Sequence, residues 1–284
     1  MDLHIKKIRK EKPIEELINF SIINLDKPSG PTSFMVDLTI RKILKTKKTS
    51  HAGTLDPKVT GVLPIMIGRA CKLLGYFMGH DKTYVGIMRI HSDMDVEKLK
   101  QEIKKFVGNI KQTPPVRSSV ARKERERKVF SWDILEVDGR DILFECKVEA
   151  GTYIRKLISD LGEKIGGAHM LELRRTRAGI FDESSLINIY DLEKAVELWK
   201  EKGDETKLRK ILIPAEIISE IFPIVDLNKA SLKKLLTGKP LFESDVTGDL
   251  KGERVVGFIG NKFIGVYKKV KEGQIIARPE FVFN

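Results

Sequence analysis

Between residues 51 and 67 the chain passes without a break from a loop rich in glycine and proline into an apolar run. That junction constrains the fold more than any other stretch. Val62, Leu63, Ile65, Met66 and Ile67 are too continuous for a half-exposed element, so a strand buried in a central sheet is expected there, ended at Gly68. Upstream, Asp56 precedes Pro57, whose ring fixes its own φ and pushes the residue before it out of the helical region. Gly53 and Gly61 allow close backbone approach on either side. A carboxylate is thereby held at the tip of a rigid loop that feeds a central strand. Taken alone, an Asp-Pro turn does no more than join two elements.

The flanking sequence supplies a frame for that loop. Phe20, Ile22, Ile23 and Leu25 read as a short buried strand, closed by the Pro28, Gly30 and Pro31 turn cluster. A helix follows, capped by Thr32 or Ser33, with Val36, Ile40, Ile43 and Leu44 on one face. Residues 82–90 predict a strand in which Tyr84, Gly86, Met88 and Ile90 share a face, the small Gly86 leaving room for a flat ligand beside the ring. A helix is expected over 95–107, and a hairpin from strands 129–136 and 141–149 turning at Asp138 and Gly139. The apolar spacing from Ile154 to Ile165 predicts a helix ended by Gly166 and Gly167, which puts Tyr153 and Arg155 at a strand-to-helix junction. A cation at a helix N-terminus is disfavoured by the dipole unless an anion compensates, and Asp56 would supply one. From about Phe222 the pattern changes to a short helix at Leu232, Leu235 and Leu236 and strands at 255–259 and 263–266, a small α+β tail. The isoleucines among residues 1–20 are expected to pack on another part of the molecule.

Charge and cysteine usage narrow the function classes. Lys and Arg number 52 against 40 Asp and Glu, a net charge of +12 that suits a polyanionic partner. Arg41, Lys42, Lys45, Lys47 and Lys48 stand just before the Asp-Pro loop, and a second basic cluster spans 121–128. Cys71 and Cys146 lie far apart without CxxC spacing, and His4, His80, His91 and His169 show no metal-ligand spacing, so neither a disulfide framework nor a metal site is expected. No apolar run reaches the roughly 20 residues of a membrane span, and the charged first residues lack the apolar core of a signal peptide. A cytoplasmic protein is expected.

The run 51–64 as a whole resembles the catalytic loop of the TruB and dyskerin family of RNA pseudouridine synthases. Four further blocks resemble that family's motifs in order: residues 25–33, the Lys82, Thr83, Tyr84 triplet, residues 151–157, and residues 173–177. The resemblance implies an α+β fold: a catalytic domain over 1–221, with an N-terminal extension at 1–20, built on a mixed, mainly antiparallel central sheet with flanking helices. A small β-rich PUA-like RNA-binding domain would follow over 222–284. It also implies an enzyme that isomerises uridine in RNA with no cofactor. Asp56 would be the catalytic carboxylate, partly buried and kept charged by Arg155. Tyr84 would stack on the uracil, Tyr153, Leu157 and Leu173 would line the pocket, Lys27 and Pro28 would brace its wall, and His51 would help displace the base. Segment 112–129 and the short connection 90–95 resemble the archaeal dyskerin branch most. The implied partners are therefore a target uridine in rRNA or tRNA, a guide RNA and small box H/ACA core proteins. A stand-alone tRNA enzyme of TruB type is the alternative. A catalytically silent RNA-binding scaffold would be expected to lose Asp56, Tyr84 or Arg155, and all three are present.

Overall fold

A computed structural model describes residues 3–114 and 123–284. Part of the 112–129 segment, residues 115–122, therefore lies outside the described residues. The first half of the chain supplies helices α1 (Leu3–Glu11) and α2 (Ile14–Asn19), strand β1 (Phe20–Lys27), helix α3 (Ser33–Leu44), and strands β2 (Thr49–His51) and β3 (Thr60–Gly68). A 3₁₀ turn at Arg69–Leu73, helix α4 (Leu74–Met78), strand β4 (Lys82–Ile90), helix α5 (Val96–Lys104) and strand β5 (Gly108–Gln112) come next. Strands β6 (Arg125–Asp138) and β7 (Asp141–Val148), helix α6 (Ile154–Ile165) and strands β8 (Ala168–Ala178) and β9 (Phe181–Asp182) follow, then helices α7 (Ile189–Lys202) and α8 (Thr206–Ile211) and strand β10 (Ile213–Pro214).

These ten strands form one sheet in the order β10-β1-β3-β8-β4-β7-β6-β5, with β2 on β3 and β9 on β8. Its pairings are antiparallel except β3 with β8, so the sheet is mixed and mainly antiparallel as the family resemblance implies. The apolar run becomes β3, buried from Gly61 to Ile67 between β1 and β8. Thr32 caps α3, its hydroxyl accepting from Met35 N–H at 3.1 Å. The expected hairpin is present, but β6 starts at Arg125, four positions earlier than expected. Alternation places Arg125 and Arg127 half-buried and Glu126 and Lys128 outward, so part of the second basic cluster is strand rather than loop.

The remaining strands, β11 (Ile224–Leu227), β12 (Leu241–Phe242), β13 (Val246–Thr247), β14 (Arg254–Ile259), β15 (Lys262–Glu272) and β16 (Ile275–Val282), make a six-stranded sheet with the short helix α9 (Leu232–Leu236). This β-rich tail shares a core with the large sheet. Ile5 and Ile8 of α1 and Phe20 and Ile22 of β1 lie in one buried cluster with Phe258, Phe263, Val266 and Phe281. The Phe20 ring stacks on Phe263 and Phe281 at 5.5 and 6.0 Å between centroids and meets Phe283 at 4.3 Å. The N-terminal isoleucines thus pack where the sequence pattern expects. A chain ended at Glu220 would lose the covering rings and expose Phe20, Ile22, Ile5 and Ile8, each worth about 2–3 kcal/mol of burial. It is expected to show no cooperative melting transition by circular dichroism, while the full chain shows one.

Candidate active site

The Asp56 loop is fixed by three side chains and one backbone N–H. Ser33, the first residue of α3, donates its hydroxyl to Leu55 O at 3.0 Å and accepts from Leu55 N–H at 2.9 Å. Gly30 N–H donates to Pro57 O at 2.9 Å. Lys27, at the end of β1 and 0% exposed, donates its ammonium to Pro28 O, Pro57 O and Val59 O, each at 2.9 Å. Arg175 of β8, 1% exposed, donates from Nε to Val62 O at 2.7 Å and from Nη2 to Gly53 O at 2.9 Å. Leu55 and Val59 anchor the loop in the same buried cluster as Tyr84, Leu157 and Leu173. Gly61 sits at φ +98°, and a Cβ there would lie 2.2 Å from Arg175 O, so only glycine permits this approach of β3 to β8.

Asp56 projects from the loop tip and forms an ion pair with Arg155, the second residue of α6. The anion expected to compensate a cation at this helix start is thus the one the sequence points to. The Asp56 side chain is 52% exposed, so the partial burial expected of it is absent here: the residues that lock the loop grip its backbone and leave its tip outside the sheet. Tyr153 precedes α6, and its backbone is held in both directions by Gln112, which accepts from Tyr153 N–H at 3.0 Å and donates to Tyr153 O at 3.2 Å.

Tyr84 lies in β4 between Cys146 of β7 and Arg175 of β8, and is only 8% exposed. Gly86 does not leave space for a ligand. A Cβ there would stand 2.8 Å from Leu173 Cδ1 and 3.0 Å from Phe144 Cζ, so protein side chains fill the gap the sequence suggested. Leu157 is fully buried, Leu173 nearly so and Tyr153 half-buried. His51 ends β2 with Nδ1 2.7 Å from buried Asp37 Oδ2 and Nε2 3.0 Å from Thr54 Oγ1. A carboxylate at Nδ1 selects the tautomer whose Nε2 accepts from the Thr54 hydroxyl. Tyr84, Leu157 and Leu173 therefore meet in one core, Asp56 and Arg155 meet above the loop, and Lys27, Pro28 and His51 border its base.

Sequence reasoning missed Ser33 as a loop anchor, and Arg175 and Lys82 as buried cations. A signal for Arg175 existed: two residues after Leu173 on a strand is the same face, so one inward position predicts the other. Lys82, nearly buried, donates to Met78 O at 2.7 Å and His80 O at 2.5 Å. Its burial, and next the nearby Arg175 guanidinium, push its ammonium down to about 8. The folded chain releases this proton near pH 8, the unfolded chain only near ~10.4. Between those values the unfolded chain binds more protons, so stability from this group rises with pH. The melting temperature of the native chain is expected to gain on that of Lys82→Met between about pH 8 and ~10. Parallel curves in differential scanning calorimetry would contradict it.

Comparison with known proteins follows this geometry. Residues 41–154 match the TruB family pseudouridylate synthase N-terminal domain, and residues 155–219 match the tRNA pseudouridylate synthase B C-terminal domain. The chain is 45% identical over 244 residues to a "Probable tRNA pseudouridine synthase B" of Methanopyrus kandleri, covering 86% of this chain and 72% of that protein. It is 40% identical over 289 residues to the protein of the same name from Pyrobaculum aerophilum, covering 96% and 86%. Among solved structures, a chain in a Cbf5-Nop10-Gar1 complex superposes with a TM-score of 0.88 at 40% identity, covering 97% of this chain and 88% of that one. A chain in an H/ACA RNP bound to a substrate RNA containing 2'-deoxyuridine gives 0.86 at 38% identity, covering 97% and 89%. The superpositions extend through the six-stranded sheet, as a PUA-like C-terminal unit requires. With relatives this similar over most of their length, the chain belongs to the TruB family of RNA pseudouridine synthases.

Proposed function

We propose that this enzyme isomerises uridines selected by a guide RNA, as the catalytic subunit of a box H/ACA particle, with Asp56 as the reacting carboxylate. The observation that carries the chemistry is the Asp56 carboxylate, held on a loop fixed by Ser33, Lys27 and Arg175 and paired with Arg155. Pseudouridine formation breaks the bond between ribose and uracil, turns the base and rejoins it through a ring carbon. It therefore needs a carboxylate beside the sugar and base, acting as nucleophile or as base. Arg155 orients that carboxylate before RNA arrives, while Tyr84 stacks on the uracil once it is flipped from the RNA. Flipping costs a few kcal/mol, which stacking and contact with the half-buried Tyr153 and the edge of Leu173 offset, with the fully buried Leu157 packed behind them. Lys27 and Pro28 brace the loop, and His51 enters the space the base leaves. Residues 1–221 carry the chemistry and residues 222–284 hold RNA.

Support for guide dependence comes from two structural neighbours that superpose over nearly the whole chain, one in a Cbf5-Nop10-Gar1 complex and one in an H/ACA RNP bound to a substrate RNA. The names of the sequence relatives favour a second reading, a tRNA enzyme. Purified protein assayed on a tRNA and on a guide-paired target, with and without guide RNA and small H/ACA core proteins, separates them. Guide-dependent product supports the proposal; efficient guide-free modification of tRNA overturns it.

The Tyr84 role has its own test. Tyr84→Leu keeps an apolar side chain in the core but removes the aromatic face, so the rate of the bound complex is expected to fall by about 10- to 100-fold, the value of one base stack. RNA affinity, set mostly by backbone contacts, should change little. An unchanged single-turnover rate would make Tyr84 a core residue and nothing more.

A further inference from the structure

Arg175 stands where the two halves of the proposed site meet. Its backbone ladders to Gly61 of β3 on one side and to Tyr84 of β4 on the other. Its guanidinium reaches under the loop to carbonyls on both sides of Asp56, Gly53 O and Val62 O. No carboxylate partners it among the described residues. Lys82, itself a cation, is close enough for the Arg175 guanidinium to add to the lowering of its pKa by burial, and its Cε comes within 3.8 Å of where a Gly53 Cβ would stand.

A buried guanidinium without a carboxylate is expensive, and apolar side chains of similar volume commonly replace buried ions at no loss of stability. Packing therefore gives no reason for an arginine here. Its geometry does. A planar fork can hold two carbonyls facing it from different directions, which a lysine ammonium on a single flexible stem cannot do with the same fixed spacing. The two carbonyls stand before and after Asp56, Gly53 in the loop and Val62 in the strand it feeds, and the strand that carries the fork pairs directly with Tyr84.

Resting on the roles proposed above for Asp56 and Tyr84, we infer that Arg175 is a positioning residue for the isomerisation. By clamping the Asp56 loop at Gly53 and the following strand at Val62 to β8, it fixes the distance between the carboxylate and the ring on which the uracil stacks. It touches neither substrate nor the reacting atoms. Misplacing a reacting group by about 1 Å costs on the order of 100-fold in rate, so the clamp acts on turnover far more than on binding.

The test uses the full chain as the wild type, Arg175→Lys, Gly53→Ala and Asp56→Asn, on the RNA that the wild type modifies. Single-turnover rate and RNA dissociation constant are measured below each variant's melting temperature. Gly53→Ala disturbs the clamp from the loop side, because its methyl would stand 3.3 Å from Arg175 Nη1 at a backbone φ of +98°. Both clamp variants are expected to lose about 100-fold in rate while the dissociation constant moves less than about threefold. A residue that served stability alone would lower the melting temperature and leave that split unchanged. A folded variant turning over at the wild-type rate overturns the inference, as does a rate loss matched by an equal loss of affinity. Should Arg175→Lys fail to fold, Gly53→Ala decides alone. A wild type that modifies no RNA overturns the functional reading itself, whereas an active wild type beside an equally active Arg175→Lys overturns only the clamp.

Discussion

Asp56→Asn is expected to lower single-turnover pseudouridine formation by at least about a thousandfold while the melting temperature and RNA affinity stay at the wild-type level. The amide keeps the size of the side chain and removes the charge that the reaction needs. None of the hydrogen bonds that hold the loop uses the carboxylate: Ser33, Gly30, Lys27 and Arg175 all hold backbone atoms, and Lys27 feels Asp56 only as a nearby charge. What the substitution breaks is one ion pair with both partners more than half exposed, and such surface pairs contribute about 0–1 kcal/mol. Product above a few per cent of the wild-type rate, measured with excess enzyme, would remove Asp56 from the chemistry.

Lys27→Met should produce the largest loss of stability of any single change at the site, about 3 kcal/mol by denaturant unfolding. Two effects oppose each other. Burial lowers the Lys27 pKa, partly offset by the Asp56 charge, so removing the ammonium relieves a desolvation cost. The loss is larger: the carbonyls of Pro28, Pro57 and Val59 are left without their shared donor, at about 1–3 kcal/mol for each acceptor that water cannot reach. Activity should fall along with stability, since the same carbonyls shape the loop. An unfolding free energy within about 0.5 kcal/mol of wild type would show that water replaces the ammonium and that the lysine does not brace the loop.

Much of this was legible in the sequence, for identifiable reasons. The loop announced itself because Gly, Asp-Pro and a continuous apolar run each force one local conformation, and β4 and α6 because their apolar residues repeat at two and at 3.6 positions. β8 was not legible as a strand. It lies in the middle of the sheet, yet carries Glu172, Arg174, Arg175 and Arg177, and its inward positions include an arginine satisfied by carbonyls far away in sequence. Spacing from Leu173 marks position 175 as inward once a strand is assumed, but no local pattern names the distant carbonyls that satisfy its charge. Gly86 misled for the opposite reason: a missing side chain reads as space, but Leu173 and Phe144 come from other strands to fill it. Nor could composition show that the β-rich tail, distinct in pattern, shares its core with β1 through Phe20.

That shared core sets a timetable for the chain as it leaves the ribosome. Phe20 is made well before the rings that cover it, Phe263, Phe281 and Phe283, which lie more than two hundred positions further along the chain. At roughly 5–20 residues per second, β1 waits on the order of tens of seconds with one apolar face uncovered. The nascent chain is thus a client for whatever shields apolar surface during translation, and slow codons placed late in the message would lengthen its exposure.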